Sequence, residues 1–554
     1  MEFRKCLFFC PTFNYQIKQA QVVALQSWSS IQNVVSIESQ STSPMDFYNI
    51  ATFFSVLGIC SFLVYLFHVL WLNGESRRMI LRRQGIAGPL PSFLLGNIPQ
   101  MKQMLPLSPN QSNHENMKGH HSLMHLFPYF KQWTKQYGQS FLFALGRSQF
   151  LYIADNNFVR EINCFTSLDM GKPAYLQKDR GALLGKGLIT TNGAVWSHQR
   201  KSIAPHLFVD KVKDTLKLMV ESGEALVNSW GNIIEANGGI ADIRVDDYVR
   251  RYTSYIISNV VFGDEWETGM EMFPKSLSLI KAMCSPTILS GVPFYRYLPT
   301  ETSREIWRLT KEIHSTIMGI VKKHTESASK DLLQVIIEGS KNGDLGPSTP
   351  DQFIVDNCKD ICIPASEVTA VTAIWGLMLL ASHPEWQTRI RVEVLEVCKD
   401  GILNFDMLHK MKALRMVVLE VLRLYPVTAF VSRQALQNLK LGHIEIPKGV
   451  NIWLWLLELH FDPKFWGPDA EKFNPERFAH GISRACRSSQ AYIPFGVGAR
   501  VCPGQSLAMA ELQVLFAIIL SNFSVTISPS YRHSPQYALL IEPEFGVNLL
   551  VQKI

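Results

Sequence analysis

The chain has 554 residues, a net charge of +7, and 47% apolar against 18% charged residues. It is longer than the roughly 250–300 residues at which one core stops growing, and its composition excludes general disorder. The basic residues form no dense block with interleaved aromatics, so no nucleic-acid partner is expected. The ten cysteines form neither a CxxC framework nor a zinc-binding spacing, which indicates a reducing compartment.

In the amino-terminal residues 1–44 the apolar residues recur at no clear spacing, and no targeting signature is found. Met45 opens "MDFYNIATFF" and would itself be a natural start. We therefore interpret residues 1–44 as an extension that is either disordered or the result of a wrongly assigned start.

An apolar segment follows at residues 50–72, without a single Asp, Glu, Lys or Arg. About 20 apolar residues span a bilayer core, so 45–72 are predicted to be a transmembrane anchor; a buried core helix is the alternative. No small-residue cleavage site follows, which favours an anchor over a removed signal. The positive-inside rule places the bulk of the chain in the cytosol, because four arginines follow the span: Arg77, Arg78, Arg82 and Arg83.

The segment 73–91 is predicted to be a basic linker with a proline-rich hinge. Pro89 and Pro91 fix φ and bar helix there, so the segment either spaces or orients the domain after it. Residues 92–554 are then the cytosolic domain.

That domain is predicted to be mainly α with small β-sheets, an α+β fold. Apolar residues recur at helical spacing in six segments: 208–236, 303–325, 351–382, 384–399, 406–424 and 505–521. Strand-like runs occur near 140 and 150, at 441–455 and at 523–529. We find no internal repeat, phosphate loop, HExxH or GxSxG motif.

The stretch "PFGVGARVCPGQS" at 494–506 carries the chemistry. It presents one thiol, Cys502, on a glycine-rich loop just before a predicted helix, with Arg500 two positions away. The helix N-terminus and backbone N–H groups are expected to lower the thiol pKa. A thiolate suits iron in a porphyrin, and the guanidinium suits a porphyrin carboxylate. The alternatives are an ordinary loop with a free cysteine and an incomplete dinucleotide loop, which lacks the last glycine of GxGxxG.

The fixed positions Phe495, Gly498, Arg500, Cys502 and Gly504 match the haem loop FxxGxRxCxG, so the chain resembles the cytochrome P-450 superfamily. The resemblance implies a haem-thiolate fold and heme b (iron protoporphyrin IX), with Cys502 as the metal ligand and the other four residues as cofactor-binding.

Further motifs agree with this resemblance. Glu420 and Arg423 look like the ExxR pair, and Arg477 like the arginine that closes a structural network with it. Trp196 and Arg200 resemble the WxxxR that meets a haem propionate, and Arg433 a second propionate arginine. Taken singly, a Glu–Arg pair at this spacing is commonly a solvated helix pair, and a lone Trp is commonly a core residue.

The finer resemblance is to plant, endoplasmic-reticulum-bound members that oxidise gibberellins, other ent-kaurane-type acids and triterpenoids. It implies a single-pass endoplasmic-reticulum protein with a cytosolic catalytic domain. It also implies a monooxygenase that takes electrons from NADPH through NADPH-cytochrome P-450 reductase and oxidises a small apolar substrate. By analogy, the substrate-facing loops lie around 165–190, 275–300 and 425–435.

The distal-helix pattern [A/G]-G-x-[D/E]-T-[T/S] is altered in this chain. Ala365 replaces the glycine and Val368 the first threonine, whereas the acid is kept as Glu367. Pro364 is expected to kink the helix. Three hypotheses follow: a monooxygenase that delivers protons through Glu367 with Ser366, Thr369, water or a substrate hydroxyl; an enzyme of non-standard chemistry (desaturation, rearrangement, dehydration or isomerisation); or a haem-binding membrane protein of low activity.

Overall fold

The structure, a computed structural model, describes residues 44–105, 122–284, 298–324, 331–399 and 403–554. The chain divides into two compact units, Met1–Asn73 and Gly74–Ile554. The predicted extension lies outside the described residues up to position 43. Positions 285–297 of the predicted loop 275–300 lie outside them as well.

In the first unit, helix α1 (Pro44–Phe67) continues into a π-helical turn, His68–Leu72. Side chains over 48–65 are exposed, uncharged and mostly apolar. Among the described residues, three helical stretches are long and apolar enough to cross a membrane: Tyr48–Arg83, Pro350–Ser382 and Gln505–Asn522. The last two are largely buried inside the protein, so the first is the segment available for a membrane.

The second unit is mainly helical, as predicted. Its α-helices are α2 (Asn73–Arg83), α3 (Ile98–Met104), α4 (Ser122–His125), α5 (Pro128–Tyr137), α6 (Asn156–Cys164), α7 (Ala174–Leu184), α8 (Gly193–Ile203), α9 (Val209–Asp214), α10 (Leu216–Ala236), α11 (Asp246–Phe262), α12 (Trp266–Met270), α13 (Met272–Cys284), α14 (Glu301–His324), α15 (Leu332–Lys341), α16 (Pro350–Ser382), α17 (Pro384–Val397), α18 (Phe405–Lys410), α19 (Lys412–Leu424), α20 (Leu456–Phe461), α21 (Pro463–Trp466), α22 (Ile482–Ala485) and α23 (Gln505–Asn522).

The strands form small sheets. Their bounds are β1 (Ser140–Leu145), β2 (Ser148–Ile153), β3 (Met170–Gly171), β4 (Ile240–Arg244), β5 (Phe430–Ala435), β6 (Leu439–Leu441), β7 (Ile444–Ile446), β8 (Asn451–Trp455), β9 (Phe523–Ile527), β10 (Pro535–Tyr537), β11 (Ile541–Pro543) and β12 (Asn548–Lys553). The largest sheet has the order β1-β2-β8-β5-β3, in which β2 and β8 are parallel. A second sheet has the order β4-β12-β9, and β6-β7 and β10-β11 are hairpins.

Helix α16 runs through the core and organises the unit around it. It starts where the Thr349 side chain accepts from the Gln352 N–H and Pro350 occupies the first turn. It packs against α11, α15, α19 and α23. The helix continues past Pro364 to Ser382, although Pro364 has no N–H to donate to the Asp360 carbonyl.

Two helices predicted as continuous are each divided in two. The segment 208–236 breaks at Thr215, whose hydroxyl donates to the Val212 carbonyl at 2.8 Å. The segment 406–424 breaks at Met411, which has ψ near 80°. A helical period in the apolar residues survives such a break, because each half packs its own apolar side against the core.

Candidate functional site

The loop that bears Cys502 is held by its own backbone. The Cys502 N–H donates to the Phe495 carbonyl at 2.9 Å, and α23 begins three residues after the thiol. Gly498 has φ of +68°, and a Cβ there would lie 2.8 Å from the Ile162 carbonyl oxygen. Only glycine satisfies both demands, so the motif glycine at 498 is a requirement of the backbone.

Positive charge surrounds this loop. Arg500 donates to the Thr191 carbonyl at 2.9 Å and to Asn192 Oδ1 at 2.8 Å, and its guanidinium lies 4.0 Å from the Trp196 ring centroid. Arg200 donates to the carbonyl of Val501 at 3.0 Å. The predicted residues Trp196, Arg200 and Arg500, which come from α8 and the cysteine loop, are therefore brought together.

Arg433 reaches the same loop from strand β5. It is buried and donates to the carbonyls of Ser432 and Val497, both at 2.9 Å. Burial lowers its pKa to about 10. Burial and the charges of Arg433 and Arg200 lower the pKa of Arg500 to about 9.

These guanidinium groups fit a dianionic macrocycle. Within the described part of the chain, Arg200, Arg433 and Arg500 have no carboxylate within ion-pair distance; their acceptors in the hydrogen bonds above are neutral oxygens. Buried cations are costly unless they are paired, so the cluster favours an anion. Two propionates and one thiolate match this charge, and haem therefore fits these residues.

The expected lowering of the Cys502 thiol pKa is wrong in its net direction. The Gly504 N–H and the charges of Arg200 and Lys172 lower this pKa, but burial raises it by more. The thiol nevertheless keeps exposed surface. It therefore faces an interior space of the protein rather than the outside. Iron ligation, which deprotonates a coordinating thiol outright, is what would make the thiolate here.

Sequence reasoning missed Lys172, between β3 and α7. Its backbone N–H donates to Asn192 Oδ1 at 2.7 Å, the oxygen that Arg500 also contacts. Burial and the charges of Arg433 and Arg500 lower its pKa well below the usual value, against the opposing effects of Asp360 and Cys502. The sequence shows a lysine between Gly171 and Pro173, but no pattern in it relates this lysine to a cysteine 330 positions later.

Lys172→Met is expected to weaken haem retention about tenfold, since a charge-assisted contact contributes roughly 1.5–3 kcal/mol. The rate of haem transfer to apomyoglobin measures this, whether or not the enzyme turns over. Lys201→Met is the control, because Lys201 is exposed on the neighbouring helix α8. Equal rates of haem loss from both variants would show that Lys172 does not contribute to haem binding.

The predicted structural residues Glu420, Arg423 and Arg477 lie together. Arg423 makes a bidentate contact with Glu420 at 2.7 and 2.8 Å, and both side chains are fully buried. Arg423 also donates to the carbonyls of His460, Ala470 and Lys472. Arg477 Nε lies 3.4 Å from Glu420 Oε1, and Arg477 Nη2 lies 2.6 Å from Asp469 Oδ2. The network joins α19 to the segment that precedes the cysteine loop.

One face of α16 is apolar in its middle. Pro364, Ala365 and Val368 are half-buried there, while their neighbours on the helix are buried. Their spacing of one and three positions puts them on one side of the helix. Of the four residues predicted to be catalytic, only Val368 lies on this face; Thr369 is buried beside it.

Ser366 and Glu367 point instead towards α11. Ser366 Oγ lies 2.8 Å from Ser254 Oγ. Glu367 Oε2 accepts from Arg250 Nε at 3.0 Å, and Arg250 also pairs with Asp246 at 3.6 Å and Glu542 at 3.5 Å. The structure therefore does not bring these two residues to the apolar face, and it ties Glu367 into a four-membered ion cluster that the sequence did not reveal.

Comparison with known proteins shows the family of this chain. A Cytochrome P450 family model matches residues 106–547. The chain is 48% identical to Cytochrome P450 714C2 of Oryza sativa subsp. japonica over 88% of this chain and 95% of that protein. It is 43% identical to Cytochrome P450 714B3 of Zea mays, over 90% and 95% respectively. Identity to Cytochrome P450 714A2 of Arabidopsis thaliana is 38%, over 86% and 93%.

These matches confirm the predicted fold, the haem-thiolate cofactor and the monooxygenase class. Family members generally receive their electrons from a reductase, usually at the expense of NADPH. The chain belongs to the cytochrome P450 family, as a monooxygenase of the plant 714 group.

Proposed function

We propose that this chain hydroxylates or epoxidises an apolar plant terpenoid, either a gibberellin-type diterpenoid or a triterpenoid. The observation that carries the proposal is the Cys502 loop with Arg200, Arg433 and Arg500 bonded to it or beside it, together with an apolar helix face in the same unit. When bound there, haem supplies dioxygen activation and oxygen transfer. Cys502 ligates the iron, and Trp196, Arg200, Arg433 and Arg500 hold and orient the macrocycle.

The proposed setting is the endoplasmic-reticulum membrane, with a single pass over 45–72 followed by the basic linker and proline-rich hinge over 73–91. The catalytic domain over 92–554 faces the cytosol and takes electrons from NADPH-cytochrome P450 reductase. The exposed apolar surface of α1 and the exposed Arg82 and Arg83 of α2 support this orientation.

The residues in the middle of α16, on the side of the haem opposite Cys502, have separate tasks. Pro364, Ala365 and Val368 present an apolar face that excludes water and contacts the substrate. Glu367 takes part in proton delivery, and its 3.0 Å ion pair with Arg250 competes for one of its carboxylate oxygens. Thr369 or a hydroxyl of the substrate then carries the proton towards the reaction, and Ser366 positions α16 against α11.

A second candidate is a reaction that needs less controlled oxygen activation, such as desaturation, rearrangement, dehydration or isomerisation. The observation that favours it is the apolar face itself. Val368 stands where a hydroxyl is expected, and both polar neighbours, Ser366 and Glu367, are bonded to α11.

The experiment is co-expression with a plant reductase, followed by a ferrous–carbon monoxide spectrum and metabolite profiling with and without NADPH. NADPH-dependent oxygenated terpenoids support the monooxygenase. Turnover of a terpenoid without NADPH supports a redox-neutral form of the second candidate, that is a rearrangement, dehydration or isomerisation. An NADPH-dependent product that has gained a C=C bond but no oxygen supports desaturation. A chain that binds no haem contradicts both.

Val368→Thr is expected to raise the fraction of NADPH that ends in product about two- to tenfold, because a hydroxyl on the apolar face restores a hydrogen-bond donor. The measurement is product formed per NADPH consumed. Val392→Thr is the control, since Val392 is exposed on α17. Loss of the native product in Val368→Thr alone would favour chemistry that depends on the apolar face.

A further inference from the structure

Arg180, on α7, is a half-buried cation outside the group around Cys502. Its Nη1 lies 3.8 Å from the Sγ of Cys284, the last residue of α13. Among the described residues, no carboxylate lies within ion-pair distance of it. A partly desolvated cation of this kind gains free energy from an anionic ligand.

Aromatic side chains lie close to α7, the helix that carries this cation. Tyr537, at the end of β10, is 39% exposed, yet burial raises its pKa to about 12. Its exposed surface therefore faces the interior of the protein. The charge of Arg180 lowers the pKa of the Tyr537 phenol and Cys284 raises it, both by less than burial does. The Phe127 ring lies 5.1 Å from that of Tyr537.

Further aromatic side chains extend from here towards the haem site, and we call the row formed by Phe127, Tyr175, Phe430, Trp453 and Tyr537 the aromatic wall. Tyr175, also on α7, accepts a hydrogen bond from Trp453 Nε1 at 2.9 Å, and Trp453 stacks on Phe430 at 3.9 Å. Phe430 begins β5, the strand that carries Arg433. Three residues of a strand span about 10 Å, so this wall ends within about 10 Å of a propionate-binding arginine.

We propose that Arg180 binds the carboxylate of the substrate, and that the enzyme prefers terpenoid acids to their neutral esters. The inference rests on the proposed function, since it assigns the polar end of the same substrate. The apolar body lies along the aromatic wall, and the carboxylate meets the guanidinium, which binds it through two N–H groups. Arg180 is then a specificity-determining residue, distant from the reacting atoms.

The test compares two acids with their methyl esters: ent-kaurenoic acid as the diterpenoid and oleanolic acid as the triterpenoid. Binding to the purified full-length holoprotein is read from the substrate-induced change of the haem spectrum. At least one acid is expected to bind about tenfold more tightly than its ester, as a charge-assisted hydrogen bond would give. Arg180→Gln should weaken that acid about tenfold and leave its ester unchanged.

Two further variants separate charge from folding. Arg180→Lys keeps the charge but loses the bidentate geometry, so its acid preference should be intermediate. Lys178→Gln, exposed on the same helix, should match the wild type. Esters that bind the wild type as tightly as acids, or equal weakening of acid and ester in Arg180→Gln, would overturn the inference.

The outcomes also separate this inference from the proposed function. If the wild type oxidises acids and esters without preference, terpenoid oxidation stands and only the role of Arg180 fails. If the haem spectrum is intact but neither scaffold binds in either form, the proposed substrate class fails, and the role of Arg180 with it.

Discussion

Cys502→Ala is expected to abolish product formation and the carbon monoxide spectrum of a thiolate haem. Cys502 is the thiol at which the cysteine loop, the N-terminus of α23 and the surrounding cations meet. Loss of an outer-shell partner of a metal typically costs roughly 10–100-fold, and loss of the axial ligand removes more than that. The measurements are turnover with reductase and NADPH, and the ferrous–carbon monoxide spectrum.

Cys164→Ala is the matched control for this change. Cys164 ends α6 next to Asn163, whose side chain accepts from the Gly498 N–H at 3.0 Å, and its thiol is exposed. This variant should keep both spectrum and turnover. A thiolate-type spectrum that survives in Cys502→Ala would mean that another thiol ligates the iron.

Arg423→Met is expected to destabilise the fold by about 3–5 kcal/mol, because it leaves the Glu420 carboxylate buried without its bidentate partner. Three carbonyls lose their donor as well. A total stability is typically about 5–15 kcal/mol, so the yield of folded holoprotein should fall sharply. Chemical denaturation followed by circular dichroism and haem absorbance measures the loss.

Arg389→Met provides the comparison with an exposed pair. Arg389 and Glu476 form an ion pair in which both side chains are about half exposed, and its loss should cost at most about 1 kcal/mol. The double change Glu420→Met with Arg423→Met should cost less than Arg423→Met alone, since no unpaired charge is left. Equal losses in Arg423→Met and Arg389→Met would contradict a buried, tightly coupled pair.

Local chemistry made much of this protein predictable. The apolar run over 50–72, the helical period of α16 and the glycine-rich cysteine loop are patterns within a few turns of chain. The positive φ that favours glycine at 498 is a property of one residue, whereas the close approach of the Ile162 carbonyl became visible only in the structure. The predicted Glu420–Arg423 pair is similarly local, at three positions on one helix, and the structure finds it formed.

The remaining features required packing, because they join segments that are far apart in the chain. Lys172 and the cysteine loop are more than 300 residues apart in the sequence. Arg250 and Glu367, which form an ion pair, are more than 100 residues apart. The distal-helix motif predicted an acidic residue at position 367. The direction in which the Glu367 side chain points depends on α11, which packs beside α16. Burial of Cys502 reversed the direction of the pKa shift expected from its local surroundings. Desolvation and ion pairing depend on which atoms lie within a few ångströms, whereas sequence patterns report only spacing along the chain.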